Sequence, residues 1–252
     1  MRYLFGSILV IAFASAVASE NAVVDDNVVK SRLVMANRCR HAEVQDGYRR
    51  HAFEMIGYDT NRFCRVLKEL TSEDPKNSSV YIWMVGECGG TNELEYIYGV
   101  LSSTNATFES KGAAAEVAMR FDVPGQRLLT ALQDYIVDSN NVERARRNFV
   151  ARRAAHMFRA SNNTCLESSM RETLLRFARE DYSYCITMDD LLCETVSNYE
   201  CSVQRLGYLR GALNSGSYTG KDYPYGIITN RIEWLVAYPE SNLTDIEETV
   251  PQ

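Results

Sequence analysis

Side chains able to do acid–base or metal chemistry are sparse in this chain, whose three histidines are His41, His51 and His156. A helical zinc hydrolase places two histidines four residues apart, with a glutamate beside the first, so that both imidazoles reach one metal. No histidine here stands in that pattern. The sequence also lacks a Cys-x-x-Cys pair, a Gly-x-Ser-x-Gly turn and phosphate- or calcium-binding loops. We therefore expect neither a metal nor a cofactor.

Two other combinations of side chains resemble catalytic groups only in their types. Cys39 and His41 offer a nucleophile and a base, but two residues apart on a helix they point in different directions. Two carboxylate pairs are also present, Glu93 with Glu95 and Asp189 with Asp190. A glycosidase needs two carboxylates on opposite sides of the scissile bond, whereas adjacent acids in a first helical turn are typical of surface residues that complement the helix dipole. The sequence therefore predicts a protein without enzymatic activity, and an enzyme of unrecognised class is a second alternative.

Positive charge is concentrated between residues 142 and 160, in a chain whose formal net charge is -6. The candidate anion-binding residues in this segment are Arg144, Arg147, Arg152 and Arg159. Such a cluster could hold a sulfated glycan or an acidic partner. Helical geometry spreads these arginines over most of the circumference, so we favour a solvated connector helix whose arginines pair with acids elsewhere. The acidic net charge disfavours nucleic acid as a partner.

Two tyrosines each precede a glycine by three residues, Tyr96 with Gly99 and Tyr208 with Gly211. A glycine at this spacing lets another helix approach closely beside the aromatic ring. Each pair is therefore a candidate wall of a pocket for a small apolar ligand. A packing contact that occurs twice is the interpretation we favour.

These tyrosines belong to a stretch that occurs twice, at residues 87–103 and 200–215. The copies share Glu-Cys followed by Leu-x-Tyr-aliphatic-x-Gly-small-Leu-x-Ser, with one residue deleted between the Cys and the Leu in the second. Upstream, residues 64–70 match 185–191 as Cys, two residues, Leu or Met, two charged residues and Leu. Asn37-Arg38-Cys39 also stands opposite Asn163-Thr164-Cys165. This ordered series predicts an internal duplication.

The elements that position these residues are predicted to be helices, because apolar residues recur at helical spacing and no segment alternates with a period of two. Val80 to Val85 has the composition of a strand, but its counterpart in the second copy favours a helix, and Gly89-Gly90 is expected to bend the chain. The predicted fold is all-α, with two homologous disulfide-stapled helical units joined by a helical connector. The expected organisation is a signal peptide at 1–18, a first helical repeat at 19–105, a connector at 106–160, a second repeat at 161–238 and an acidic tail at 239–252.

The N-terminus has the features of a secretory signal. Arg2 precedes an apolar run from Leu4 to Val17, and Ala16-Val17-Ala18 supplies a small-x-small cleavage site. The run is shorter than the about 20 apolar residues of a membrane span. We expect a secreted, extracellular protein with no membrane span.

Seven cysteines follow the signal, and an oxidising compartment favours their pairing. The disulfide candidates are Cys39, Cys64, Cys88, Cys165, Cys185 and Cys201, with connectivity left open. Cys193 is the candidate buried free thiol, because the repeat aligns it with the apolar Val80. Three cysteines per repeat imply one bridge inside each repeat and one between them.

Four Asn-x-Ser/Thr sequons lie in turn-rich segments and are candidates for N-glycosylation: Asn77, Asn105, Asn162 and Asn242. Disulfides and glycans without a recognisable catalytic group are typical of a non-enzymatic extracellular binding or interaction protein. Its expected partner is another extracellular protein. The alternative is a carrier that holds a small apolar ligand in a cavity of the helical bundle.

Overall fold

The computed structural model describes residues 24–141, 143–180, 188–190, 192, 198–216, 218, 220 and 223–238. Within these ranges every regular element is helical and none is a strand, which confirms the all-α prediction. None of these helices combines the length and the apolar character that a membrane crossing would require. The predicted signal peptide, the acidic tail, Cys185, Cys193 and Asn242 lie outside the described residues.

The described residues contain the following helices in chain order. They are α1 (Asp26–Arg38), α2 (Ala42–Met55), α3 (Thr60–Glu73), α4 (Ser78–Gly89), α5 (Leu94–Ser102), α6 (Phe108–Phe121), α7 (Gln126–Val137), α8 (Arg144–Ala160), α9 (Thr164–Glu180), α10 (Asn198–Asn214) and α11 (Tyr223–Ala237). Residues 188–190 and 192 are also helical. The chain divides inside α3 into a unit that ends at Val66 and a unit that begins at Leu67.

In the first unit, α1 and α2 pack together across the turn at residues 39–41. The α1 helix begins where Asp25 accepts a hydrogen bond from the backbone N–H of Asn27 at 2.9 Å, which satisfies an otherwise unpaired donor. The unit buries an apolar set drawn from all three of its helices: Val29, Leu33, Ala36, Ala52, Ile56, Phe63, Cys64 and Val66.

The C-terminal end of α2 forms a Schellman turn. Gly57 has φ 64° and donates its N–H to the Glu54 carbonyl at 2.9 Å, while the Tyr58 N–H reaches the Phe53 carbonyl at 3.1 Å. The rings of Phe53 and Tyr58 lie edge to face, 5.3 Å apart. This contact fixes the direction in which the chain leaves α2.

In the second unit, α6 is the most deeply buried helix because its side chains are small. Ala113, Ala114, Ala115 and Ala118 are all buried, as expected for a helix that packs on several neighbours. The close packing of α6 against α4 depends on Gly86, because a Cβ added at Gly86 would lie 2.8 Å from Val117 Cγ2. The helices α4, α5, α7 and α8 surround α6.

The predicted bend after Cys88 is confirmed. The α4 helix ends at Gly89, Gly90 has φ 56°, and a 3-10 turn over Gly90–Glu93 leads into α5. Such a φ favours glycine because a Cβ would clash there. Val80 to Val85 is helical, as the repeat predicted. In the second copy of the stretch, which lacks the two glycines and is one residue shorter, α10 continues without a break.

Candidate functional site

The α8 helix has one buried face and one exposed face. Val150, Ala151, Ala154 and Phe158 are buried toward the core of the second unit. On the opposite side four side chains are exposed: Phe149, Arg152, Arg153 and His156. Their spacing of three, four and seven residues from Phe149 puts them on one surface. We call these four residues the outward face of α8, and Arg159 extends it by one turn.

Phe149 is unusual on this face because half of the surface of its large aromatic side chain is exposed. Large aromatic side chains are usually buried. Arg152 and Arg153 are exposed one turn further along the same face, on a helix that contains six arginines and no acid. An exposed aromatic ring among guanidinium groups can contact a partner through both apolar and charged groups.

The structure separates the four predicted anion-binding arginines. Arg147 is only 6% exposed; its guanidinium carbon lies 4.4 Å from the centre of the Phe177 ring, and Nη1 donates to the Asp138 carbonyl at 3.3 Å. Arg147 therefore lies on the buried face of α8, and anion binding by these arginines stays a prediction. Arg152 and Arg159 are exposed, and the side chain of Arg144 lies outside the described residues.

Arg146 behaves as the connector-helix interpretation expects. Its Nε lies 3.2 Å from Glu116 Oε1, and its Nη1 donates to the Glu109 carbonyl at 2.8 Å. Both contacts join α8 to α6. Burial raises the pKa of Glu116, while Arg146, Arg153 and a hydrogen bond from Trp83 oppose that rise.

The predicted pocket wall at Tyr96 and Gly99 is not formed by close helix packing. Gly99 is exposed, with no atom within 4 Å of where its Cβ would lie, and the ligand pocket stays a prediction. Tyr96 is half-buried: its hydroxyl lies 2.9 Å from Thr71 Oγ1, and Lys68 Nζ lies 5.2 Å from its ring centre. Burial raises the pKa of Tyr96.

Tyr208 occupies a different environment, since it is buried in the core beside Leu209 and Ala212, while Gly211 is partly buried. In the described part of the chain, a small groove lies between α8 and α9 and includes neither tyrosine. It is lined by Ala155, Phe158, Arg159, Glu167, Met170, Arg171 and Leu174. Its volume of about 10 Å³ is close to the minimum that holds one water molecule.

The acids Asp189 and Asp190 are not the pair of surface residues that the sequence predicted. Asp189 and Arg205 are both fully buried. The Asp189 carboxylate accepts hydrogen bonds from Arg205 Nε at 2.6 Å and from Arg205 Nη2 at 2.8 Å. Arg231 Nη1 lies 2.7 Å from both Asp189 Oδ2 and Asp190 Oδ1. The prediction for Asp189 is wrong because this ion-pair network joins the segment 188–190 to α10 and α11.

A matching ion pair lies in the first copy of the repeated stretch. Lys68 pairs with Glu93, and the alignment of the two copies places Lys68 opposite Asp189 and Glu93 opposite Arg205. The charges are reversed between the copies. This reversal was readable in the aligned sequences and is the signal by which the buried pair could have been found.

All three histidines are at exposed positions. His51 Nδ1 lies 3.6 Å from Glu54 Oε2, but both side chains are largely exposed and are neighbours on α2. His41 and His156 are exposed. Among the described residues no three His, Cys, Asp or Glu side chains are grouped to hold a metal ion.

The described cysteines are distributed over both units. Cys64 is buried, Cys39 and Cys88 are half-buried, and Cys165 is exposed in the first turn of α9. No disulfide joins any two of these four, and the side chain of Cys201 lies outside the described residues. The bridges and the free Cys193 thiol therefore stay predictions.

The sequons differ in their surroundings. Asn105 and Asn162 are exposed in turns, and Asn162 has φ 56°. Asn77 is half-buried, and its Nδ2 donates to Asp74 Oδ2 at 2.8 Å. A glycan on Asn77 would be attached to the nitrogen that makes this contact, whereas Asn105 and Asn162 are exposed.

Comparisons with known proteins found no match, so a functional proposal has to be based on the geometry described above. No protein-family model matches the chain, and neither the curated proteins nor the solved structures contain a match.

Proposed function

We propose that this protein is secreted and acts as a non-enzymatic extracellular binding protein that uses the outward face of α8. The observation that carries this proposal is Phe149, half exposed on a helix whose neighbouring turns present Arg152 and Arg153 to solvent. Aromatic and arginine side chains are enriched among the residues that dominate binding energy at protein interfaces.

Secretion is supported by the sequence features at the N-terminus and by the exposure of two sequons, Asn105 and Asn162. Disulfides are part of the proposal for the same reason, since an oxidising compartment favours them.

The proposal includes an internal duplication. Its main support is the charge-reversed ion pair, Lys68–Glu93 and Asp189–Arg205, at aligned positions. The turns that separate α1 from α2 and α8 from α9 are also equal in length, at residues 39–41 and 161–163. This match suggests that α8, at the end of the predicted connector, is the counterpart of α1.

A carrier of a small apolar ligand is the alternative function. Ligand sites of this kind enclose about 300–1,000 Å³, far more than the groove between α8 and α9. Tyr96 and Tyr208, the tyrosines proposed to line such a site, lie in unlike environments. The geometry of the described residues therefore favours the binding protein.

Native mass spectrometry of protein secreted from eukaryotic cells tests this proposal. The sample is deglycosylated enzymatically and kept unreduced. We expect a chain that begins at Ser19, with disulfides formed and no bound small molecule. A copurifying mass of a few hundred daltons that is lost on denaturation would replace the proposal by the carrier, and retention of the full chain inside cells would contradict secretion.

A further inference from the structure

We infer that the outward face of α8 binds an acidic protein surface, with Phe149 as the apolar anchor; this inference rests on the proposed function. The occupant is a peptide segment or protein surface that offers an apolar pocket bordered by Asp or Glu. Three features of the face point to it: the position of Phe149, the placement of the arginines and the charge of the remaining chain.

Phe149 is the first residue of the outward face of α8. Arg152 and Arg153 follow it by three and four residues, so both lie one turn along the same surface, and His156 lies a further turn along. Binding energy at interfaces concentrates in aromatic residues that become desolvated beside polar groups. The ring of Phe149 and the two arginines one turn away supply both kinds of group.

The charges of the exposed arginines select an acidic partner. The whole chain carries -6 although α8 alone contributes six arginines and no acid. An acidic partner is therefore repelled by most of the surface and attracted to α8, and this charge complementarity orients the encounter. Guanidinium groups also form two parallel hydrogen bonds to one carboxylate.

A sulfated glycan would use the same arginines but not the aromatic ring. Its sulfates pair with cations, and an exposed phenyl group among them gains little from a highly hydrated polyanion. The contribution of Phe149 thus distinguishes the two classes of partner. A protein partner requires both the ring and the charges, whereas a glycan requires only the charges.

The test uses the full-length secreted protein and two probes, a phage-displayed library of random dodecapeptides and fluorescently labelled heparin. Peptides are selected on the wild-type protein with counter-selection on Phe149→Ser. We expect the selected peptides to be rich in Asp and Glu around an apolar residue. Their affinity should fall about tenfold to thirtyfold in Phe149→Ser and as much in Arg152→Gln/Arg153→Gln, with weaker binding at higher salt.

A matched control lies on α10, where Val203 and Arg210 are also exposed. Val203→Ser/Arg210→Gln should bind the selected peptides like the wild type, and circular dichroism should show all variants folded. Heparin binding that depends on the arginines but not on Phe149, without acidic peptides being selected, would overturn the protein partner while leaving the binding function. Failure of both probes would overturn both.

Discussion

Two ion pairs lie at aligned positions of the matching sequence segments, and the order of their positive and negative residues is reversed. Lys68 on α3 pairs with Glu93, the residue before α5, while Asp189 pairs with Arg205 on α10. Reversing an ion pair keeps its attraction, but changing one partner alone creates repulsion or an unpaired charge. An attraction between the two aligned positions is therefore kept with the positive and negative residues in either order.

The two pairs differ in burial, and that difference sets what each contributes. The Lys68 side chain is 34% exposed, whereas Asp189 and Arg205 are completely buried and Arg231 adds a second cation. Glu93 is 12% exposed, so water screens the first pair in part, and we expect a smaller contribution from it than from a fully buried pair. The second lies where an uncompensated charge is costly. We therefore expect Asp189–Arg205 to contribute more to stability than Lys68–Glu93.

The largest effect is expected from removing the buried carboxylate. Asp189→Asn leaves Arg205 buried without its countercharge, which typically lowers the free energy of unfolding by about 3–5 kcal/mol. Urea denaturation followed by circular dichroism measures this loss. Glu93→Gln is the matched variant in the first copy and should cost no more than about 1 kcal/mol. Equal losses in the two variants would contradict the assignment of different roles to the pairs.

A second difference between the copies lies at Gly86, whose aligned position in the second stretch is Tyr199. The close contact between α4 and α6 at Gly86 therefore belongs to the first copy alone. Gly86→Ala would force a methyl group against Val117 and should destabilise the protein by about 1–3 kcal/mol.

Gly99→Ala is the control for that variant, because the added methyl group meets open space. It should stabilise α5 by about 0.5–1 kcal/mol, the usual gain for replacing a helical glycine. Thermal unfolding of both variants shows whether each substitution raises or lowers the stability of the protein. A destabilised Gly99→Ala would restore the predicted close approach at that glycine.

The sequence predicted the local structure better than it predicted the faces of the helices. Helical spacing and the Gly89-Gly90 pair were enough for the elements and for the break before α5. The burial of Arg205 was not predictable from its type, because arginine is nearly always exposed. Phe149 is the reverse case, since an aromatic residue in α8 is expected in the core. In both, packing against other helices decided the orientation.

Reversal of the exposed pair should be tolerated. Lys68→Glu/Glu93→Lys keeps opposite charges at the aligned position and loses only the contact of Lys68 with the Tyr96 ring, worth about 0.5–1 kcal/mol. The double variant should therefore remain within about 1 kcal/mol of the wild type in urea denaturation. Lys68→Glu alone places two carboxylates together and should be less stable than the double variant; the opposite order would show that the pair is not an attraction.

A third ion pair, Arg146–Glu116, is about as exposed as Lys68–Glu93, and the effects of burial and of charge on it can be separated by its pH dependence. Burial raises the pKa of Glu116, so the folded protein favours the protonated acid more than the unfolded chain does. This contribution to stability is complete below the unfolded pKa, near about 4.3, and is lost as the pH rises through the folded pKa. The stability of the wild type relative to Glu116→Gln should therefore fall between about pH 4 and pH 7. Glu95→Gln is the control of opposite sign, because a hydrogen bond from Arg127 lowers the pKa of the exposed Glu95. The wild type should gain relative stability as the pH rises to the unfolded pKa and change little above it. A rise in the Glu116 comparison would mean that Arg146 and Arg153 outweigh burial, and that the pair resembles the exposed Lys68–Glu93 contact more than the buried one.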